Sequence, residues 1–253
     1  MSAAAFLLAA VIGLLLGALG GGGSILVVPT LVYGLGVDPK QAVAMSLPIV
    51  ALSSFVAAAS YWRTSDVEPR WSLKFGLLAM IGAYLGAKAG VLLPPAAQLT
   101  LLAIVTLAAA TSMLRSRPSA DVSQPLLPKA SERSWLAFAS AVAIGGLTGL
   151  VGIGGGFLFV PVLRLVLRFP MRVAVGTSLV VISMNALAAL VGYLGSVSIP
   201  WPVVLTFAAM MGTGAVAGAW FGRRLPGIAL QRAFAILLFV VGARMLFDHM
   251  RLQ

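Results

Sequence analysis

The side chains able to do chemistry in this sequence are few. In 253 residues there are six carboxylates, one histidine and no cysteine, so thiolate nucleophiles, disulfides and multi-ligand metal centres lack their atoms. The single histidine, His249, lies beyond the last apolar segment, a poor position from which to build a buried Ser–His dyad. No enzyme chemistry, no metal and no cofactor is expected. What remains are bare glycine backbone, in runs at Gly20 to Gly23 and Gly154 to Gly156, and hydroxyl and amide side chains set in apolar surroundings.

Those polar groups fall in register. Ser46 and Ser53 lie seven apart on one face of an apolar segment that opens with Asp38 and Pro39, a fair N-cap and first-turn pair. Ser178 and Asn185 repeat the spacing later in the chain, with Thr177 added where the earlier segment has Met45. Measured from the helix start, Ser46 would be about 10 Å deep and Ser53 about 21 Å. Hydroxyls and amides at such depths can replace water around an ion, although Ser and Thr also bond back to their own helix. Asn185 is harder to explain that way, since an amide in an apolar setting needs several partners. All six acids (Asp38, Asp66, Glu68, Asp121, Glu132 and Asp248) fall at segment ends or in loops. A cationic substrate, and coupling through a buried acid, are therefore disfavoured. Lys74, Lys88 and Arg244 are candidate partners for an anion.

The elements that must position these groups are membrane helices. The chain is 60% hydrophobic and only 9% charged, with a mean hydropathy of +1.06, which excludes a soluble domain. Its net charge of +11 is spread thinly between apolar runs, as juxtamembrane anchors are, so no nucleic-acid partner is expected and the lipid bilayer is. The apolar stretch from Met1 to Gly20 lacks the charged start of a secretory signal and has a counterpart inside the chain at Leu136 to Gly152, so it reads as the first membrane helix.

An internal repeat organises the rest. At an offset of 132, residues 13–114 align with 145–246 without a gap and share 31 identities, where chance would give on the order of ten. The expected organisation is a first transmembrane repeat at 1–114, a cytoplasmic linker at 115–134 rich in proline, serine and charge, and a second repeat at 135–253. The apolar segments are 4–20, 24–36, 39–62, 71–93 and 97–114, then 135–152, 156–168, 171–194, 201–222 and 228–247. The second of each half, about 12 residues long, would reach only about 18 Å as a helix, short of the roughly 30 Å hydrocarbon core. It follows a glycine run and reads as a half-helix. Gly82, Gly86 and Gly90, with Gly214, Gly218 and Gly222, have the spacing of four that lets helices pack closely.

Charge sets the orientation. An odd number of crossings per half puts thirteen Lys and Arg on one face and four on the other, as the positive-inside rule favours. The fold class expected is thus an all-α integral membrane protein of two inverted homologous repeats, with both termini periplasmic. Inverted repeats with broken helices expose backbone N–H groups to a midplane site, and a half-helix start suits an anion. The candidate binding residues are Gly21, Gly22, Gly23, Ser24, Ser46, Ser53, Gly154, Gly155, Gly156, Thr177, Ser178 and Asn185. A β-branched residue at Gly22 or Gly155 is expected to block the turn.

Gly-Gly-Gly followed by an apolar run and proline, at Gly21 to Pro29 and Gly154 to Pro161, and then Ala-Val-Gly-Thr-Ser-Leu at 174–179, resemble the TauE/SafE sulfite exporter family over nearly the whole chain. The resemblance implies an exporter that moves sulfite, sulfoacetate, thiosulfate or other small sulfur-containing or organic anions across the bacterial inner membrane, expected to work by alternating access around a midplane site between the repeats. It makes the glycine turns, Thr177, Ser178 and Ser46 the translocation region. A passive anion channel is the alternative, and an intramembrane hydrolase a more distant one.

Overall fold

A computed structural model describes residues 3–115, 134–151, 156–167 and 169–251. Every regular element among them is helical. In chain order these are α1 (Ala3–Leu19), α2 (Gly22–Gly34), α3 (Pro39–Trp62), α4 (Pro69–Leu92), α5 (Pro95–Arg115), α6 (Ser134–Val151), α7 (Gly156–Leu165), α8 (Met171–Tyr193), α9 (Trp201–Gly222) and α10 (Gly227–Arg251). Segments expected at 39–62 and 201–222 coincide with α3 and α9, and most others agree within about two residues. Four of the helices, α3, α4, α8 and α9, are long and apolar enough to cross a membrane. The linker at 116–133, Gly154 and Gly155 lie outside the described residues.

Local chemistry explains the boundaries. Asp38 caps α3, its Oδ1 accepting from the backbone N–H of Lys40 at 3.0 Å and of Gln41 at 3.3 Å, and Pro39 takes the first helical position, where no N–H is needed. At the end of α1 the Gly20 N–H returns to the Leu16 carbonyl at 2.8 Å while Gly20 turns left-handed with φ 66°, the usual glycine stop. The next residue, Gly21, has φ 123°, which a side chain would rarely tolerate. The helix that follows starts tightly wound as a 3₁₀ turn and ends widely wound as a π turn at Thr30–Gly34.

α3 and α8 form the centre and are the most buried of the four long helices. They meet at mid-length, where Ser183 Oγ donates to the Ala51 carbonyl at 3.0 Å. Around them α4 packs against α8 and α6, α9 packs against α3 and α1, and α5 pairs with α10. The spaced glycines make the closest approaches. Gly82, Gly86 and Gly90 of α4 lie against the carbonyls of Val142, Gly146 and Leu150, and Gly214 and Gly218 of α9 lie against those of Ala10 and Leu14. Numbers rise together on both sides, so each pair of helices runs parallel. A methyl group at any of these glycines would overlap backbone, as small-residue packing between apolar helices requires.

The loops gather at two ends. At one, the Glu68 N–H donates to Thr177 Oγ1 at 3.1 Å, Arg172 donates to the Leu225 carbonyl at 3.3 Å, and the rings of Trp71 and Phe169 stand 6.2 Å apart edge to face. At the other, Gln41 Nε2 donates to the Ser198 carbonyl at 3.0 Å. Arg63, Arg70, Lys74, Arg172, Arg223 and Arg224 belong to the first end and Lys40 and Lys88 to the second.

Candidate translocation site

The glycine break of the first half is built against the second half. Ser178 of α8 donates to the Gly20 carbonyl at 2.9 Å and also to its own Val175 carbonyl at 2.8 Å. A Cβ at Gly20 would press on Val175 and on the Ser178 hydroxyl. Two regions singled out in the sequence, the turn before α2 and the polar start of α8, are therefore in contact. Gly22 and Gly23 play a different part from the one expected. Their φ values are not left-handed, and the positive φ falls on Gly20 and Gly21. A Cβ at Gly22 would meet Phe234 and Leu237 of α10, and one at Gly23 would overlap the backbone of Ile12 and Leu16. Gly23 lets α2 double back closely on α1, and Gly22 leaves room for the α10 side chains. Ser24 spends its hydroxyl on the Gly21 carbonyl at 2.6 Å.

Depth also differs from the expectation. Tyr61, the penultimate residue of α3, is buried and donates through its hydroxyl to the Gly17 carbonyl at 2.9 Å. Gly222, the last residue of α9, abuts Ala18. The α1 break is thus level with the ends of α3 and α9 and not with their middles. The end of α6 lies at the opposite end, where Gln98 Nε2 donates to the carbonyls of Gly90 at 2.6 Å and Leu150 at 2.9 Å beside buried Tyr193. A sequence can show that a helix breaks, but the level of the break depends on how far the chain has already travelled.

The middle of the molecule holds the other polar candidates. Ser53 is fully buried and makes a long bond of 3.4 Å to the Ala208 carbonyl of α9. Asn185 is 0% exposed; its Nδ2 donates to Thr148 Oγ1 of α6 at 2.8 Å, and its Oδ1 finds no partner. Ser54, also 0% exposed, likewise has an unpartnered hydroxyl. An unpaired polar atom in such surroundings costs about 1–3 kcal/mol. Two of them lie within three residues of the Ser183–Ala51 contact.

Other candidates are placed elsewhere. Ser46 is buried and bonds back to the Val43 carbonyl at 2.8 Å. Thr177 accepts from the loop before α4. Gly156 opens α7. Lys74 and Lys88 are exposed, and the Lys88 ammonium sits 5.9 Å from the Tyr84 ring centroid; neither reaches inward as a partner for an anion, because each stem lies on an outer helix face. The Arg244 side chain lies outside the described residues.

Sequence reasoning missed one cluster at the basic end. Arg223 donates from Nε to the Ala219 carbonyl at 3.1 Å and from Nη1 to the Ser60 carbonyl at 3.0 Å and Thr64 Oγ1 at 3.3 Å. Its guanidinium lies 5.7 Å from the Tyr61 ring centroid. The recurrence of tyrosine at 61 and 193, at the repeat offset, was the available signal.

Comparison with known proteins points to membrane transport. The family model described as Sulfite exporter TauE/SafE matches residues 5–245. A probable membrane transporter protein of Xylella fastidiosa (strain Temecula1) is 31% identical over 236 residues, covering 91% of this chain and 89% of that protein. The probable membrane transporter protein YunE of Bacillus subtilis is 26% identical over 278 residues, covering 96% and 98%. No solved structure matches significantly.

Proposed function

The chain belongs to the sulfite exporter TauE/SafE family of membrane transporters, and from that premise we propose that it carries a small sulfur-containing or organic anion across a bacterial inner membrane by alternating access. Its two halves act as inverted repeats around the α3–α8 crossing. The basic end, with Arg63, Arg70, Arg172, Arg223 and Arg224, faces the cytoplasm, the side that retains Lys and Arg, and both termini face the periplasm. The parallel pairing of α4 with α6 and of α9 with α1 supports this reading, since the two pairs repeat each other, each joining the fourth helix of one half to the first helix of the other.

The single observation that carries it is the polar girdle at the crossing. Ser53, Ser54, Ser183 and Asn185 are buried at mid-length on the two most enclosed helices, and hydroxyls and an amide at that depth mark a substrate path. The anion is held there, passing the Gly20–Ser24 turn with Thr177 and Ser178 on the basic side and Ser46 on the other. Among the described residues the carboxylates Asp38, Asp66 and Glu68 stand in loops at helix ends and none lies at the crossing.

Flux in proteoliposomes tests the assignment. Sulfite, thiosulfate or sulfoacetate should move with saturation and counterflow, and should raise the apparent stability of the purified protein with the logarithm of ligand concentration above its Kd. Alkali cation flux without anion flux would defeat the reading. Unsaturable flux without counterflow would replace the carrier with a channel.

A further inference from the structure

Resting on that reading of the crossing, we infer that Asn185 selects an oxyanion that still carries one proton, such as hydrogensulfite, over a fully ionised sulfonate of the same charge. Thr148 fixes the orientation of the amide. Its hydroxyl hydrogen is committed to the Gly145 carbonyl at 2.9 Å, so only lone pairs face α8. The Asn185 group that meets them must be an N–H, at 2.8 Å. Turning the amide over would break the Thr148–Gly145 bond to form a single replacement, one bond where there are now two. The amide is therefore held with Oδ1 and its second N–H available.

That leaves one acceptor beside one donor. The acceptor is fully buried and unpartnered, and a buried acceptor demands a donor. A sulfonate offers only acceptor oxygens. It would satisfy the N–H and set its own lone pairs against Oδ1. An oxyacid monoanion offers a hydroxyl next to an oxygen and satisfies both atoms of the amide in one plane. Sites built to bond a hydroxyl reject analogues lacking it strongly, because the site's own polar atom is left unpaired. Asn185 is on this reading a binding residue and Thr148 a positioning residue.

Hydrogensulfite and methanesulfonate make the test, since each is a monoanion with three oxygens on sulfur, one of them a hydroxyl in hydrogensulfite and none in methanesulfonate, whose methyl takes the place of the sulfur lone pair. Equilibrium binding and thermal shift are measured on purified full-length protein in mildly acidic buffer, where sulfite keeps its proton. Wild-type protein should bind hydrogensulfite about tenfold or more tightly than methanesulfonate. Asn185→Leu should bring the two affinities together by weakening hydrogensulfite. Thr148→Val should collapse the preference by a different route: the freed amide can present both N–H groups, so methanesulfonate gains affinity. A merely structural threonine would weaken both anions alike.

Equal or tighter wild-type binding of methanesulfonate would overturn the inference. If Ser183→Ala then weakened both anions equally, the crossing would remain the site and only the donor argument would fall. If neither anion bound wild-type protein, or if Asn185→Leu, Thr148→Val and Ser183→Ala all left both affinities unchanged, the site itself would fall as well.

Discussion

Ser183 donates its hydroxyl to the carbonyl of Ala51 at 3.0 Å, and the two residues stand 132 positions apart, the same offset that aligns the two halves of the sequence. Equivalent positions of two repeats touch each other only near the axis that relates them. The contact therefore fixes where a two-fold relation of the kind proposed above would pass: through the middle of α3 and the middle of α8. Any motion that exchanges the two ends has this point as its natural pivot, and a serine on one side against an alanine on the other makes the pivot chemically unequal.

Removing that hydroxyl should cost little stability. Interhelical hydrogen bonds between membrane helices average about 0.6 kcal/mol, and the Ala51 carbonyl keeps its place in its own helix. Ser183→Ala should lower the thermal midpoint of the purified protein only slightly. A large drop would show that the crossing is held by more than packing.

The spaced glycines predict the opposite balance. A methyl at Gly86 would overlap the Gly146 carbonyl, and one at Gly218 the Leu14 carbonyl, so Gly86→Ala and Gly218→Ala should each destabilise by about 1–3 kcal/mol. Transport per folded molecule should persist. Flux normalised to monodisperse protein separates this from a direct role in the site.

Gly21, with φ 123°, is the turn position least able to accept a side chain. Gly21→Val should abolish flux while leaving membrane insertion intact, at a backbone cost of about 1–3 kcal/mol. Gly22→Val acts through its contact with Phe234 and Leu237, and a smaller residue there, Gly22→Ala, should be tolerated better than Gly21→Ala. The reverse order would move the critical turn.

Orientation is accessible to thiol labelling because the native chain has no cysteine. Ser196 and Ser65 are exposed in loops at opposite ends. An impermeant reagent should label Ser196→Cys in intact cells and Ser65→Cys only after permeabilisation. The opposite pattern would invert the proposed topology.

Arg223 should not be replaceable by lysine. Its fork spans α9, the Ser60 carbonyl and Thr64 while its face covers Tyr61, and an ammonium keeps the charge without the geometry. Arg223→Lys should lose about 1–2 kcal/mol, read as a lower thermal midpoint with little of it regained relative to Arg223→Gln.

Segment identity was legible because apolar length, proline starts and glycine stops are local. Asp38 announced the start of α3 by its own side chain. Depth was not legible: α1 runs to the end of α9 before it breaks, and nothing in Gly20 to Gly23 states how far the preceding helix has gone. The repeat both helped and misled. It drew attention to Ser46 and Ser178, polar in both halves, and away from Thr148, Ser54 and Ser183, whose equivalents are Leu16, Ala186 and Ala51. Buried polar groups present in only one half break the symmetry, and a search for matched positions passes over them.

The glycine seams have a bearing on synthesis. Gly17 packs against Ala215, so α1 enters the bilayer roughly 200 residues before its closest neighbour exists, a wait of about 10–40 s at ordinary translation rates. During that interval its small-residue face has only lipid, or the insertion machinery, to lie against. Neither half can complete its own packing, because α4 needs α6 and α1 needs α9. Nascent chains arrested before α9 should therefore be protease-sensitive and short-lived, and the two halves expressed as separate polypeptides should accumulate only when made together.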